Sequence, residues 1–357
     1  MNRLPADRYL ALIRDETRGL VPALGRGGLC LASLPYGWAV GLRNLAFDRG
    51  WRRCRRAAVP VVSVGNLTAG GTGKTPCVEY VVRHYRQHGL RVAVLSRGYG
   101  GAGGRNDEAL VLEEELPDVP HLQGADRGEL AAVAVEELDS EILVLDDGFQ
   151  HRQLARDLDV VLVDATNPWG HGHLLPRGLL RESRCGLRRA GVVVLTRCDQ
   201  ASAEERGRLR EQVARLAPGV PVAETMHRPV ELVNGAETAA LGLLRERPVA
   251  AFCGIGNPEA FRRTLRGLGA DVRDFRTYPD HHPYSREDVG ELTAWARRQP
   301  AGCLFVTTQK DLVKLRVARL GPCALWAVRV RLHFETGREA LDGKLQEVIQ
   351  TRRPAFI

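Results

Sequence analysis

Past residue 56 the hydrophobic pattern alternates between two periods. Short unbroken apolar runs recur in VPVVSVGN (59–66), RVAVLSRGYG (91–100, closing in a loop), EILVLDDG (141–148), DLDVVLVDA (157–165) and GVVVLTRCD (191–199). Between them, TPCVEYVVRHYRQHG (75–89) and RGELAAVAVEEL (127–138) place apolar residues three and four apart. Unbroken runs suit strands buried on both faces and the longer period suits covering helices, so the pattern predicts a mostly parallel, helix-flanked sheet. A second series follows. PVAAFCGIGN (248–257), DVRDFRTYPDH (271–281), GCLFVTTQKD (302–311) and CALWAVRVRLHF (323–334) read as strands. PEAFRRTLRGLG (258–269), SREDVGELTAWARRQ (285–299) and the closing REALDGKLQEVIQ (338–350) read as helices. The intervening APGVPVAETMHRPVELVNG (217–235) has no strong period and reads as a linker or a hairpin. Three consecutive parts are expected: an N-terminal helical segment over 1–56, an α/β core over 57–230 and a smaller α/β domain over 231–357.

Composition agrees with a packed α/β chain. With 357 residues, 44% hydrophobic and 26% charged, it is long enough for two cores. None of the eight cysteines forms a C-x-x-C pair, which excludes a zinc site or disulfide framework of the usual spacing and suits a reducing cytosol. Charge changes the picture at one end. Up to Arg56 there are eleven arginines against four acids, which is most of the net charge of +8. Within that segment the uncharged run GGLCLASLPYGWAVGL (27–42) lies between Arg26 and Arg43. It is shorter than the roughly 20 residues of a spanning helix and is interrupted by Pro35. It also lacks the placement and cleavage site of a signal peptide. Two readings stay open at this point: an amphipathic helix lying in an anionic lipid surface, or a helix packed on the body with solvated arginines. No nucleic-acid partner is expected, because no helix-turn-helix, zinc or RNP pattern accompanies the arginines.

The chemistry concentrates in a few loops. In VGNLTAGGTGKTP (64–76) a strand enters a glycine-rich turn and a helix leaves it, with Pro76 in the first helical turn. Backbone N–H groups from Thr68 through Ala69, Gly70, Gly71, Thr72 and Gly73, with Lys74 and Thr75, would cradle phosphate oxygens. Thr68 stands where the usual G-x-x-x-x-G-K-[ST] loop has its first glycine. Only four lysines occur in the chain, so a lysine here suggests that a compact ammonium is wanted. These features predict a P-loop NTPase-like fold. Thr75 is then the expected Mg²⁺ ligand through its hydroxyl.

The strand EILVLDDG ends in Asp146 and Asp147, a Walker-B-like pair for Mg²⁺ and active-site charge, with Gln150 and His151 following as candidate substrate contacts. VVVLTRCD and VTTQKD resemble the guanine-reading T-K-x-D element. However, Leu145 stands where a GTPase needs its D-x-x-G aspartate, so both read better as strand ends. SRGYGG (96–101) brings Arg97 to a strand end. NDEA (106–109) and TYPDHHPY (277–284) offer Asp107, Glu108 and His281 on loops, and an Asp polarised by a His makes a general base for an alcohol. LLPRGLLRES (174–183) supplies Arg177, Arg181 and Glu182 for phosphate contacts or a solvated turn. A regulatory NTPase or metallochaperone, and an ATP-binding membrane adaptor, are the competing classes.

Taken in order, VPVVSVGNLTAGGTGKTP, LSRGYGG, LDDGFQHR, LLPRGLLRE, YPDHH and TTQKD resemble the tetraacyldisaccharide 4′-kinase family of lipid A biosynthesis. The likeness runs from about Leu34 to about Leu315. It implies transfer of the ATP γ-phosphate to the 4′-hydroxyl of the lipid A disaccharide 1-phosphate. The resemblance implies Lys74 and Thr75 on the β/γ-phosphates and Mg²⁺, Asp107 as general base with His281 as partner, and Asp146 and Asp147 for metal and charge. It further implies Glu108 near the metal, with Arg181 and Glu182 lining the site. A peripheral, monomeric enzyme at the cytoplasmic face of the inner membrane, held by its N-terminal segment, is the implied setting. One departure stands out: Asn106-Asp107-Glu108-Ala109 replaces the usual G-D-E-P, and the segment before it is short.

Overall fold

The computed structural model describes residues 6–98, 107–235 and 237–350, with residues 6 and 7 as backbone only. Asn106 and the Tyr99–Gly101 part of the SRGYGG stretch lie outside the described residues. In chain order the elements begin with α1 (Ala6–Ile13), α2 (Leu20–Asp48), β1 (Val61–Asn66), α3 (Lys74–Gln87), β2 (Val92–Ser96), α4 (Asp107–Glu115) and β3 (His121–Gln123). Then come α5 (Arg127–Glu136), β4 (Ile142–Asp146), β5 (Leu158–Asp164), β6 (Val192–Thr196), α6 (Ala203–Leu216) and β7 (Val222–Asn234). The chain continues through β8 (Glu237–Ala239), β9 (Pro248–Cys253), α7 (Pro258–Gly267), β10 (Asp271–Thr277), α8 (Arg286–Arg297) and β11 (Leu304–Thr308). It closes with α9 (Gln309–Leu315), β12 (Arg319–Leu320), β13 (Cys323–Thr336) and α10 (Arg338–Gln350).

Packing divides these elements into two compact units. Among the described residues, unit 1 takes 6–95, 126–226 and 334–350, and unit 2 takes 96–98, 107–125 and 227–333. This division is discontinuous, unlike the three consecutive parts expected from the sequence. β7 and β13 are long strands, each contributing one end to each unit, so the last helix returns to unit 1. There Tyr80 of α3 donates a 2.6 Å hydrogen bond to Asp342 of α10. The N-terminal segment is likewise part of unit 1 rather than separate from it.

In unit 1 the strand order is β2-β4-β1-β5-β6-β7, all parallel. β1, β4, β5 and β6 are buried at every position, which is why their sequences show apolar runs without alternation. After β1 the chain crosses to one side for β2 and later fills the other side with β5 and β6. The carboxyl end of β1 therefore opens at the switch point where ligands of such sheets bind. One face is closed by a cluster containing Phe149, Leu187, Val193, Leu195 and Val213.

The α2 helix corrects one expectation. It runs unbroken for 29 residues through Pro35, so the proline does not interrupt it. Side chains flanking Pro35 fasten the helix to the body: Ser33 donates to Leu174 O at 3.1 Å and Tyr36 to Arg181 O at 2.9 Å. Those tertiary bonds stabilise a helix that has lost one backbone donor. No helix among the described residues is long and apolar enough to cross a membrane.

In unit 2 the order β10-β9-β11-β13 is parallel, with β7 beside β13. Here the segment 217–235 proves to contain a 13-residue strand, which forms a hairpin with the antiparallel β8. Phe252, Trp295 and Phe305 fill one core, and Phe261, Leu265 and Trp326 the other.

Candidate functional sites

Unit 1 holds the glycine-rich loop between β1 and α3. Gly73 adopts φ 81°, ψ 32°, a left-handed turn that a side chain would strain, and α3 starts at Lys74 immediately after it. The Lys74 side chain is buried and its Nζ lies 3.4 Å from Asn66 Oδ1 and 3.6 Å from Asp147 Oδ1. Arg181 closes on Asp147 from another direction with two hydrogen bonds of 2.8 Å, and also donates to Asn66 O at 3.1 Å and to Asn66 Oδ1. Burial works against the Asp147 charge. The Arg181 hydrogen bonds and the Lys74 ammonium outweigh it and hold the carboxyl far below the usual range.

The turn carrying Asp147 has its own constraint. Asp147 sits at φ 54°, and Gly148 follows where an added Cβ would lie 2.6 Å from Leu145 Cβ and 2.8 Å from Ser63 Oγ. His151 closes this turn, its N–H donating to Gly148 O at 2.8 Å. Gln150 donates to Asn66 O at 3.0 Å and to Glu182 Oε1 at 2.9 Å. Glu182 is fully buried and also accepts from Arg189 and from Asn44 of α2. Its carboxylate, expected to line the site, is spent on these partners and braces the wall behind the loop. Arg181 is oriented toward the loop's charges, whereas Arg177 is buried against Ile13 O and Asp15 and anchors the N-terminal segment. Thr75 and Asp146 are both nearly buried, in the first turn of α3 and at the carboxyl end of β4.

Unit 2 gathers the second set. Asp107 and Glu108 lie in the first turn of α4, not on a loop as expected, where a helix N-terminus favours acids. Asp107 Oδ2 lies 2.9 Å from His281 Nδ1 and 3.2 Å from Lys314 Nζ. Asp107 falls in the 57–230 part and His281 in the 231–357 part expected from the sequence, yet both residues belong to unit 2. His281 itself is left-handed at φ 60°, a conformation costing about 1–3 kcal/mol that the surrounding loop imposes. Burial works to raise the Asp107 pKa, but the His281 hydrogen bond and the Lys314 ammonium hold it below the usual carboxylate range. The same hydrogen bond raises His281 above its ordinary value.

A short helix not among the expected elements holds this pair. VTTQKD is not only a strand end: Thr308 caps α9, accepting from Asp311 N at 3.3 Å. Lys310 and Lys314, four apart on α9, face α4, where Lys310 Nζ meets Glu108 Oε1 at 3.1 Å. Glu108, expected near a metal, is thus paired with an ammonium. Lys314 also lies 3.2 Å from Asp311, a fully buried carboxylate that accepts from Gly254 N, Tyr284 Oη and Thr308 Oγ1. One signal could have revealed α9: the scarcity of lysine, which applied to Lys310 and Lys314 as much as to Lys74. Arg97 is exposed just past β2.

A central parallel strand, a glycine-rich turn, a buried lysine at the helix start and a strand-end carboxylate pair define a P-loop phosphate-binding enzyme of the α/β class. The comparisons narrow the class. The family model for tetraacyldisaccharide-1-P 4′-kinase matches residues 27–350. The tetraacyldisaccharide 4′-kinase of Anaeromyxobacter sp. (strain K) is 45% identical over 94% of this chain and 93% of its own length. That of Syntrophus aciditrophicus is 40% identical over 79% and 82%. The crystal structure of the "apo" form of LpxK from Aquifex aeolicus in complex with ATP superposes with a TM-score of 0.73 at 31% identity, covering 90% of this chain and 99% of that one. The chain belongs to the tetraacyldisaccharide-1-P 4′-kinase family.

Proposed function

We propose that the protein transfers the γ-phosphate of ATP to the 4′-hydroxyl of a tetraacyldisaccharide 1-phosphate, the precursor of lipid A. The observation that carries the reading is Lys74, buried at the start of α3 beside Asn66 and the Arg181-bound Asp147. Lys74 and the later loop N–H groups hold the β- and γ-phosphates, whereas the Ala69 N–H, expected among them, is bonded to Leu179 O. Asp107, kept ionised by His281 and Lys314, takes the proton of the attacking hydroxyl. Such transfer depends on positioning and charge neutralisation more than on covalent chemistry. A regulatory NTPase or metallochaperone is less well supported, because Leu145 occupies the D-x-x-G position.

Mg²⁺ fits unit 1. Thr75 and Asp146 offer hard oxygen donors at the ends of α3 and β4, and Mg²⁺ bound with substrate phosphates needs only one or two protein ligands. When bound, it would neutralise charge on the phosphate oxygens. Product analysis tests the acceptor: a disaccharide with a free 4′-hydroxyl is phosphorylated there, and its 4′-deoxy analogue stays unmodified. Phosphorylation of the deoxy analogue would refute the 4′ assignment.

A peripheral position on the cytoplasmic face of the inner membrane is part of the proposal. Leu20, Leu24, Leu31, Trp38, Leu42 and Leu45 of α2 fall on one stripe of the helix and are all exposed, with Arg49, Arg52 and Arg53 just beyond it. Trp38 is 76% and Leu42 65% exposed, so inserting them into lipid removes most of their apolar surface from water. At roughly 1.5–3 kcal/mol per fully buried side chain, Trp38→Asp with Leu42→Asp should cut partitioning onto anionic vesicles by more than about tenfold. Undiminished co-flotation of that variant would place lipid binding elsewhere.

A further inference from the structure

The Thr196-Arg197 step looked in the sequence like a failed guanine reader. In the structure, both side chains reach back to the phosphate loop. Thr196, buried at the end of β6, donates from Oγ1 to the carbonyl of Thr72 at 2.9 Å. Arg197 donates from Nη2 to the carbonyl of Gly71 at 2.7 Å, and its Nη1 pairs with Asp164 at the end of β5. Asp164 and Thr196 are register partners in the β5–β6 pair, so the two strand ends present the clamp together. The other Asp164 oxygen accepts from Thr166 N and Oγ1 at 2.9 and 2.7 Å, which leaves the carboxylate little freedom. Arg197 takes a left-handed backbone at φ 56°, ψ 36°, an uncommon conformation for a side chain of its size.

These contacts set the polarity of the loop. In a planar trans peptide the C=O and the following N–H point in opposite directions. Drawing the Gly71 and Thr72 carbonyls to β5 and β6 therefore turns the Thr72 and Gly73 N–H groups to the opposite side. Those two donors immediately precede Lys74. The first half of the loop is tied elsewhere: Asn66 Nδ2 donates to Thr68 O at 2.7 Å, and Ala69 N donates to Leu179 O at 2.7 Å. Gly70, at φ 106°, lies between the two ties and Gly71 carries the Arg197 bond, so without the clamp the second half can rotate its peptides.

We infer that Thr196 and Arg197, with Asp164 behind them, are positioning residues that preset the Thr72 and Gly73 N–H donors for the nucleotide phosphates. The inference deepens the nucleotide half of the proposed kinase function and rests on that half alone. Its test is titration of ATP into the purified full chain without acceptor, so absence of lipid phosphorylation would not affect it. Arg197→Gln, a partly exposed site, and Thr196→Val, which keeps shape but loses the hydroxyl, should each weaken ATP binding about tenfold. Thr196→Ser, which retains the donor, should stay within about twofold of the parent protein. With acceptor present, the KM for ATP should rise in the two weakened variants while the KM for the lipid stays unchanged. Folded Arg197→Gln and Thr196→Val proteins that bind ATP as tightly as the parent would overturn the inference. So would an equal loss in Thr196→Ser and Thr196→Val, since packing alone would then explain it.

Discussion

Lys74→Ala lowers turnover by about 10³-fold, on the scale seen when a preorganised charge is removed from a transition state. The size follows from the site. Lys74 is 8% exposed, so little solvent screens it, and its ammonium lies between Asn66 Oδ1 and Asp147 Oδ1. Removing it withdraws the cation that would face the transferring phosphoryl group and leaves Asp147 compensated by Arg181 alone. Lys74→Arg should rescue little, because a planar guanidinium does not replace a compact ammonium in a buried slot. Steady-state kinetics with ATP as the varied substrate measures both variants. Turnover at the parent rate in Lys74→Ala would remove the loop from the reaction.

Asp107→Ala lowers kcat by about 10²–10⁴-fold, the usual contribution of a positioned general base, while ATP affinity stays nearly unchanged. His281→Ala has the smaller effect and a characteristic pH signature. The imidazole hydrogen bond leads the contributions that keep Asp107 below its ordinary value of 3.8. Without it that pKa rises, so the acid limb of the kcat profile should move to higher pH. The stability linkage has two signs. Asp107, depressed in the folded chain, contributes stability above 3.8 and loses it as pH falls through its folded value. His281, raised in the folded chain, contributes fully below 6.5 and loses that contribution as pH rises through its folded value. An acid limb that stays in place in His281→Ala would separate His281 from the base.

The phosphate loop was legible because everything that makes it is contiguous: an apolar strand, glycines, Lys74 and a helix start. Asp107 and His281 were legible only as residue types. Their meeting depends on α4 and α9, and the contacts that fix them join residues as far apart as Lys310 and Glu108. Nothing local announces such a pairing. Glu182 shows the opposite limit, since a charged residue beside an arginine reads as a substrate contact until burial reveals its internal partners. The α6 helix, outside the elements expected from periodicity, carries a local signal. Ser202 and Glu205 form a capping box, and the pattern S-x-x-E is visible in the chain. The segment 217–235, open between a linker and a hairpin in the sequence, contains the hairpin strand β7; its uneven burial, with residues 223–225 and 232–234 buried and the middle partly exposed, explains the weak periodicity.

Incubation of the purified chain with γ-labelled ATP, Mg²⁺ and the tetraacyldisaccharide 1-phosphate decides whether it phosphorylates the lipid. Label should appear in the lipid, dependent on Lys74 and on Asp107. Label confined to ATP and free phosphate, in a preparation that binds ATP, would contradict the kinase function.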